Sequence, residues 1–281
     1  MTFHPNPDLL VPPTCLNATC PPASCPPATG SIALVGAGPG ARDLLTLRAL
    51  DRLRTADVVY YDRLVQPEVL ALANPRARRV YVGKEVGAPA WTQGQIDAAI
   101  TASALQGLRV VRLKSGDPSM FGRAAEELEA ASAAGIEVEI VPGITAASAA
   151  AASLGAPLTS RGQIDRVVLA TGTAMTGQAV ANLSASLVPG TRLVLYMAMQ
   201  HLAQIEAALL TAGTPPMTEV CILMHVSTAR QRNLTCPLHG MAAAARSADM
   251  VNPAVVIISL PANPPDLMER VPLATRTSVA G

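Results

Sequence analysis

Short apolar runs alternate along this chain with stretches whose apolar positions recur three and four residues apart. SIALVGA (31–37), VVYY (58–61), RRVYV (78–82) and LRVVRL (108–113) predict strands. LLTLRALDRLRTA (44–56) predicts an amphipathic helix, and further helices fall at about 92–106 and 122–134. Strands and helices that alternate, joined by short turns, predict βαβ units and a mainly parallel sheet with right-handed crossovers.

After IEVEIVPG (136–143) and a small-residue helix the pattern changes. Strands are predicted at RVVLATG (166–172), TRLVLYM (191–197), TEVCILM (218–224), RQRNLTC (230–236) and AVVIISL (254–260), with helices near 200–211 and 238–247. No helix separates 218–224 from 230–236, so part of this second sheet is predicted to be antiparallel. The fold class is therefore α/β, with two α/β domains dividing within 142–160, taken as 31–143 and 144–262. Residues 1–30 are Pro-rich and unpatterned and predict a disordered leader; 263–281 predict a flexible tail on the same grounds.

Composition narrows the function. Half the residues are apolar but aromatics make up only 2%, so the core must be built from Ala, Val, Leu, Ile and Met. A formal net charge of +1 argues against a general nucleic-acid binder, whose phosphate contacts require a basic surplus. The weakly polar stretch 144–158 is too short to span a bilayer, so no membrane segment is expected. The N-terminus lacks the basic-then-apolar order of a secretory signal, which predicts a cytoplasmic protein. Cys15, Cys20 and Cys25 lie evenly spaced in the leader without the paired spacing or His partners of a zinc site, and no metal is expected.

The chemistry-bearing residues gather where the predicted strands end. GAGPGA (36–41), YDRLV (61–65), VGK (82–84), KSGDPSMFGR (114–123), PGITAAS (142–148) and PLTSRG (157–162) each follow an apolar run, and open α/β sheets bind ligands beyond the carboxyl ends of their strands. Glycines in the first of these loops allow close backbone approach at a helix N-terminus. The same loop satisfies a loose dinucleotide fingerprint, with Asp62 about 20 residues on, so a nicotinamide-linked oxidoreductase is the rival reading. Against it, Pro39 stiffens the turn and no later loop supplies a hydride-transfer site. The chain has two lysines, Lys84 and Lys114, both in these loops, although Lys and Arg together number 21. Lysine is the cation that can be compact and titratable where arginine cannot. SGDP (115–118) reads as a tight turn in which Asp117 either caps the helix beginning near Gly122 or contacts a ligand.

In this order the loops resemble the tetrapyrrole methylase superfamily, and within it the uroporphyrinogen-III C-methyltransferase family, from about Gly30 to Leu260. The set YDRLV, VGK and SGDPSMFGR is the specific part of the resemblance. It implies two α/β domains of the tetrapyrrole methylase type with the active site in the interdomain cleft, and a homodimer. It also implies S-adenosyl-L-methionine as methyl donor, S-adenosyl-L-homocysteine as product, and a small-molecule tetrapyrrole as acceptor. The reaction implied is methylation of uroporphyrinogen III at C2 and C7 to precorrin-2; the alternative is a divergent tetrapyrrole methylase or a non-catalytic binder of either ligand.

By motif, the resemblance implies that Pro39, Ser115, Gly116, Asp117, Met120, Thr145, Ala146, Met197, Val226 and Ala254 contact the donor. It implies Asp62 as proton acceptor and Lys84 as proton donor, or alternatively a proton-handling and orienting role for Arg123, Glu126 and Arg161. Arg63 and Arg161 are expected to hold substrate carboxylates, for which guanidinium forks are suited. The chain departs from the family pattern at Ser115, where glycine is usual, and at Ser160 and Thr173, where histidine is common.

Overall fold

The computed structural model describes residues 30–83, 91–172 and 177–263, without the side chains of 177–181. Lys84, Thr173, the three leader cysteines and nearly all of the expected leader and tail lie outside the described residues.

The first sheet comprises β1 (Ser31–Gly36), β2 (Val58–Tyr61), β3 (Arg78–Tyr81), β4 (Arg109–Lys114) and β5 (Val138–Val141). Its order is β3-β2-β4-β1-β5 and every pairing is parallel. Each predicted strand here falls within two residues of its observed ends. The central strands are buried on both faces: β4 buries every residue after Arg109, as a parallel sheet covered on both sides requires. One face packs against α1 (Leu47–Thr55) through Ala49 and Leu53. The other packs against α3 (Gln93–Leu105) and α4 (Ala124–Ala133) through Ile96, Ile100 and Ala131.

Local chemistry sets the helix starts. The predicted helix 44–56 begins later than its apolar pattern: Arg42–Leu44 form a 3₁₀ turn, and Thr46 then caps α1 by accepting from the Ala49 N–H at 3.2 Å. α3 starts in a capping box, with Thr92 and Gln95 each accepting from the other's backbone N–H. A short helix, α2 (Pro67–Leu70), stands where the sequence pattern shows none, because Pro67 occupies its first turn.

The second sheet comprises β6 (Arg166–Thr171), β7 (Thr191–Tyr196), β8 (Glu219–Met224), β9 (Arg232–Pro237) and β10 (Ala254–Leu260), in the order β6-β7-β10-β8-β9. Only β6 and β7 pair in parallel; β10 runs antiparallel to β7 and β8, and β8 to β9. α7 (Leu202–Thr211) and α8 (Met241–Ser247) cover one face through Leu202, Ile205, Leu209 and Met241. α6 (Gly177–Ser186), which the sequence pattern missed, supplies Leu183 to the same cluster. α8 has no capping side chain of its own; Glu206 of α7 accepts from the N–H groups of Gly240 and Ala242 at 2.6 and 3.0 Å. The other face is covered by α5 (Ala146–Ser153), whose Ala147, Ala149 and Ala150 pack on Val194, Leu223 and Val255. Alanine there lets helix and sheet approach closely, which explains the small-residue composition of 146–152.

Candidate functional site

The helices after β1 and β4 lie on opposite faces of the first sheet, so the loops that leave these adjacent strands diverge and open a crevice at their carboxyl ends. The two loops meet there as a bridge between Gly38 and Gly116, with N–H···O distances of 3.2 and 2.7 Å. A third loop closes on them from β5. A Cβ on Gly143 would lie 2.3 Å from the Gly116 carbonyl oxygen and 2.9 Å from the Gly36 Cα, and one on Gly36 would lie 2.6 Å from Gly143. Part of the glycine content predicted to face a ligand is therefore consumed by loops packing on each other. Gly116 differs: at φ +69° a Cβ there would meet open space, so its bare backbone faces room a ligand could enter.

Asp117 fastens the loop after β4 to the loop after β5. One carboxylate oxygen accepts from the Gly143 N–H at 2.9 Å, and the other accepts from the Ser119 N–H and hydroxyl. It does not cap α4, contrary to one of the two sequence readings: that position is taken by Arg123, in the left-handed region at φ 57° without a side-chain cap. Ser115 lies outside the left-handed region, which falls on Gly116, so the chain accommodates serine there without backbone strain.

The second sheet brings its own loops to the same place. The Tyr196 hydroxyl, at the end of β7, bonds the Thr145 hydroxyl at 2.5 Å and accepts from the Ala147 N–H at 3.1 Å, while its ring packs on Phe121 at 5.1 Å between centroids. Gly40 approaches the loop after β8 so closely that a Cβ would lie 2.6 Å from Thr228 and 3.0 and 3.1 Å from the carbonyl oxygens of Ser227 and Val226. Among the described non-glycine residues with positive φ, Phe121, Arg123, Met197, His225 and Ser227 all sit on these loops. Backbone held in sparsely populated conformations gathers at ligand sites. The residues expected to contact the donor form two groups. Pro39, Ser115, Gly116, Met120, Thr145 and Ala146 are half-buried and Met197 is exposed, whereas Val226 and Ala254 put their side chains into the core, leaving only their backbone to face a ligand.

A buried network of charges lies beneath these loops. β4 places Val110, Arg112 and Lys114 on the face covered by α3 and α4, and Glu127 of α4 reaches both cations: Arg112 Nε at 3.1 Å and Lys114 Nζ at 2.6 Å. Glu127 is fully buried and both cations nearly so. Arg112 extends further to Asp62, 3.8 Å away, whose other oxygen accepts from the Leu64 N–H at 3.1 Å. Burial, and secondarily Arg112, lowers the Lys114 pKa below that of an ordinary lysine, with Glu127 opposing the shift. Burial likewise raises the pKa of Asp97 on α3, which accepts from Gln93 at 2.7 Å.

Arg123 and Glu126 pair with each other through two contacts of 2.9 and 2.6 Å at the surface. Arg63 and Arg161 are exposed and make no ion pair among the described residues. His225, beyond β8, has its pKa lowered by burial first and then by Arg230 and Arg63, which places it in a positive neighbourhood drawn from both sheets. Sequence reasoning missed Tyr196, Arg112 and Glu127. It singled out Lys114 by the scarcity of lysine, and β-period spacing from Lys114 would have found Arg112.

Among the described residues, no helix is long and apolar enough to cross a membrane and no cluster of His, Cys, Asp and Glu could hold a metal. Residues 31–242 match the sequence profile of the Tetrapyrrole (Corrin/Porphyrin) Methylases. The chain is 45% identical over 230 residues to a siroheme synthase of Methylococcus capsulatus and 42% identical over 230 residues to one of Pseudomonas aeruginosa, covering 82% of this chain in each case. It spans about half the length of those relatives, 48% and 50%. The crystal structure of a uroporphyrin-III C-methyl transferase from Thermus thermophilus, complexed with S-adenyl homocysteine, superposes with a TM-score of 0.69 at 35% identity. That match covers 82% of this chain and 97% of the other. A cobalt precorrin-4 methyltransferase, at 24% identity and a TM-score of 0.72, shares the fold. With its two sheets, its glycine-bridged crevice and a profile match over most of its length, this chain belongs to the tetrapyrrole methylase family.

Proposed function

We propose that the chain is an S-adenosyl-L-methionine-dependent C-methyltransferase that converts uroporphyrinogen III to precorrin-2 by methylation at C2 and C7. The observation that carries this reading is the 35% identity to the Thermus uroporphyrin-III C-methyl transferase across nearly the whole of that chain. The site supports it. Gly116 presents bare backbone to open space, and exposed Met197 stands on the second sheet, so the two sheets offer the edges of a cleft for the donor. That donor supplies a methyl group on a positively charged sulfur.

The acceptor is an electron-rich pyrrole carbon, so the protein need not generate a strong nucleophile; it must hold carbon and methyl in line and exclude water. As the new carbon–carbon bond forms, the electrons of the sulfur–methyl bond stay on sulfur, and a proton must leave the macrocycle. Asp62, held by the Leu64 N–H and facing Arg112, is the group that takes it. Arg63 and Arg161, exposed and without an ion pair among the described residues, are available to the substrate carboxylates, and the positive neighbourhood of His225 suits the same polyanion. Arg123 and Glu126 already satisfy each other, so their part is orientation at the rim rather than proton transfer. We further propose that the two sheets are separate domains meeting at this cleft, and that the protein acts as a cytoplasmic homodimer.

Incubating the protein with methyl-labelled S-adenosyl-L-methionine and uroporphyrinogen III tests the reading. Label in precorrin-2 is the expected result. Binding of both ligands without transfer of label would overturn it in favour of a non-catalytic binder.

A further inference from the structure

The proposed chemistry uses Asp62 but leaves the buried charges behind it unexplained. Lys114, Glu127, Arg112 and Asp62 form a row of alternating sign at the carboxyl end of the first sheet, from the buried Lys114 to the half-buried Asp62, with contacts of 2.6, 3.1 and 3.8 Å. Such a cluster is a poor device for stability. Desolvating buried ions offsets most of their mutual attraction, and apolar residues of similar volume often do as well. This one also ends at a site-loop carboxylate, and buried, perturbed charge beside a cleft is a functional-site candidate.

The geometry selects Glu127 as the organiser. Its two oxygens are divided, Oε1 to Arg112 and Oε2 to Lys114, so neither cation can swing without leaving a fully buried carboxylate short of a partner. Arg112 is further fixed by donating from Nη1 to the Leu113 carbonyl at 3.0 Å. With Nε and Nη1 both engaged, the remaining Nη2 lies 3.8 Å from Asp62 Oδ2, within ion-pair range. Lys114 is confined from the other side: a Cβ on Gly122 would lie 3.2 Å from Lys114 Cε, so the 115–123 loop closes over its stem. Register completes the arrangement, since Tyr60 pairs with Arg112 and Tyr61 with Leu113, which brings Asp62 alongside the end of β4.

We propose that Glu127 is a positioning residue for the methyl-transfer reaction: anchored by Lys114, it aims Arg112, and Arg112 sets the orientation of the Asp62 carboxylate toward the substrate. The inference rests on the role assigned above to Asp62. It predicts that the effect of Glu127 travels through Asp62 and disappears when Asp62 can no longer accept a proton.

A double-mutant cycle reads this directly. In the full chain, Glu127→Gln is expected to lower kcat for uroporphyrinogen III methylation at least tenfold while KM and the Kd for S-adenosyl-L-methionine stay within threefold. Glu127→Asp, which keeps the charge, should lose less. In an Asp62→Asn background, adding Glu127→Gln should change kcat less than twofold. Should Glu127→Gln fail to fold, Arg112→Lys keeps the charge opposite Glu127 but removes the arm to Asp62, and its effect must likewise vanish on Asp62→Asn. Losses that multiply across the two sites, or a fall confined to KM, would overturn the positioning role. Unchanged turnover in Asp62→Asn alone would instead remove Asp62, and with it the reading on which this inference stands.

Discussion

The two sheets are similar in size and differ in what they bury. In the first, the buried polar residues include Asp97, Arg112, Lys114 and Glu127; in the second, among the described residues, they are Thr191, Thr214, Thr218 and Ser259, with no charge among them. The second sheet rests on an almost wholly aliphatic cluster that includes Leu193, Leu195, Ile205, Leu209 and Ile222. The first carries its charges at the carboxyl end of β4, where the strand meets the site loops. Apolar burial is the dominant favourable term in folding, whereas buried ions roughly break even. The contrast teaches that the second half contributes mainly stability and surface, and that the first half gives up some stability to hold a chemical arrangement.

That division can be broken in order of effect. Leu209→Ala removes a fully buried side chain from the second-sheet core and is expected to cost about 2–5 kcal/mol in denaturant unfolding. Activity per folded molecule should stay near the parent value; a proportionate fall in kcat of the folded fraction would show that the halves are not separable in this way. Gly143→Ala should have the reverse signature. Its Cβ would collide with the Gly116 backbone, costing about 1–3 kcal/mol of the kind seen for overpacked sites, and the displaced loop should weaken S-adenosyl-L-methionine binding at least tenfold by calorimetry. Binding at parental strength would mean that the glycine bridge does not shape the site.

The smallest effect sharpens the contrast within one strand. At the amino end of β4, Arg109 grips Asp57 through its side chain at 2.8 and 3.0 Å and through its backbone N–H at 2.9 Å, lowering the Asp57 pKa to about 2. Because the folded-state value is depressed, this stabilisation is present above the unfolded carboxylate pKa near 4 and is lost as pH falls from there towards 2. The pair is substantially exposed, so solvent screening limits its worth to about 1 kcal/mol or less. Asp57→Asn should flatten the acid limb of the stability profile by that amount and leave methyl transfer unchanged. An acid limb identical to the parent's would assign acid sensitivity to other carboxylates.

Much of the fold was legible because strand and helix periods are local. The runs at 58–61 and 254–260 coincide with β2 and β10, and the absence of a helix between β8 and β9 correctly announced an antiparallel pair. The amphipathic pattern of 44–56 was visible, but the 3₁₀ turn and the cap at Thr46 that shorten it depend on backbone geometry rather than on apolar spacing. α6 was missed because QAVANLSAS lacks a clear apolar stripe and is held by packing Leu183 in the core of the second sheet. At the site, the loops that would carry the chemistry were readable from their unusual residues. The partner each residue takes was not.

By itself the sequence determined the two α/β halves, the positions of the glycine-bearing turns at the strand ends and the family to which these turns belong, because each is written in contiguous residues. Only the tertiary structure decided that Asp117 ties its own loop to the one after β5 rather than capping α4, that Tyr196 reaches Thr145 across 51 positions, and that Glu127 lies between Arg112 and Lys114. A carboxylate on a helix is normally solvated. It becomes an interior anchor only when the helix docks with that face on a strand bearing two cations, and this juxtaposition depends on packing between elements rather than on the pattern of either one.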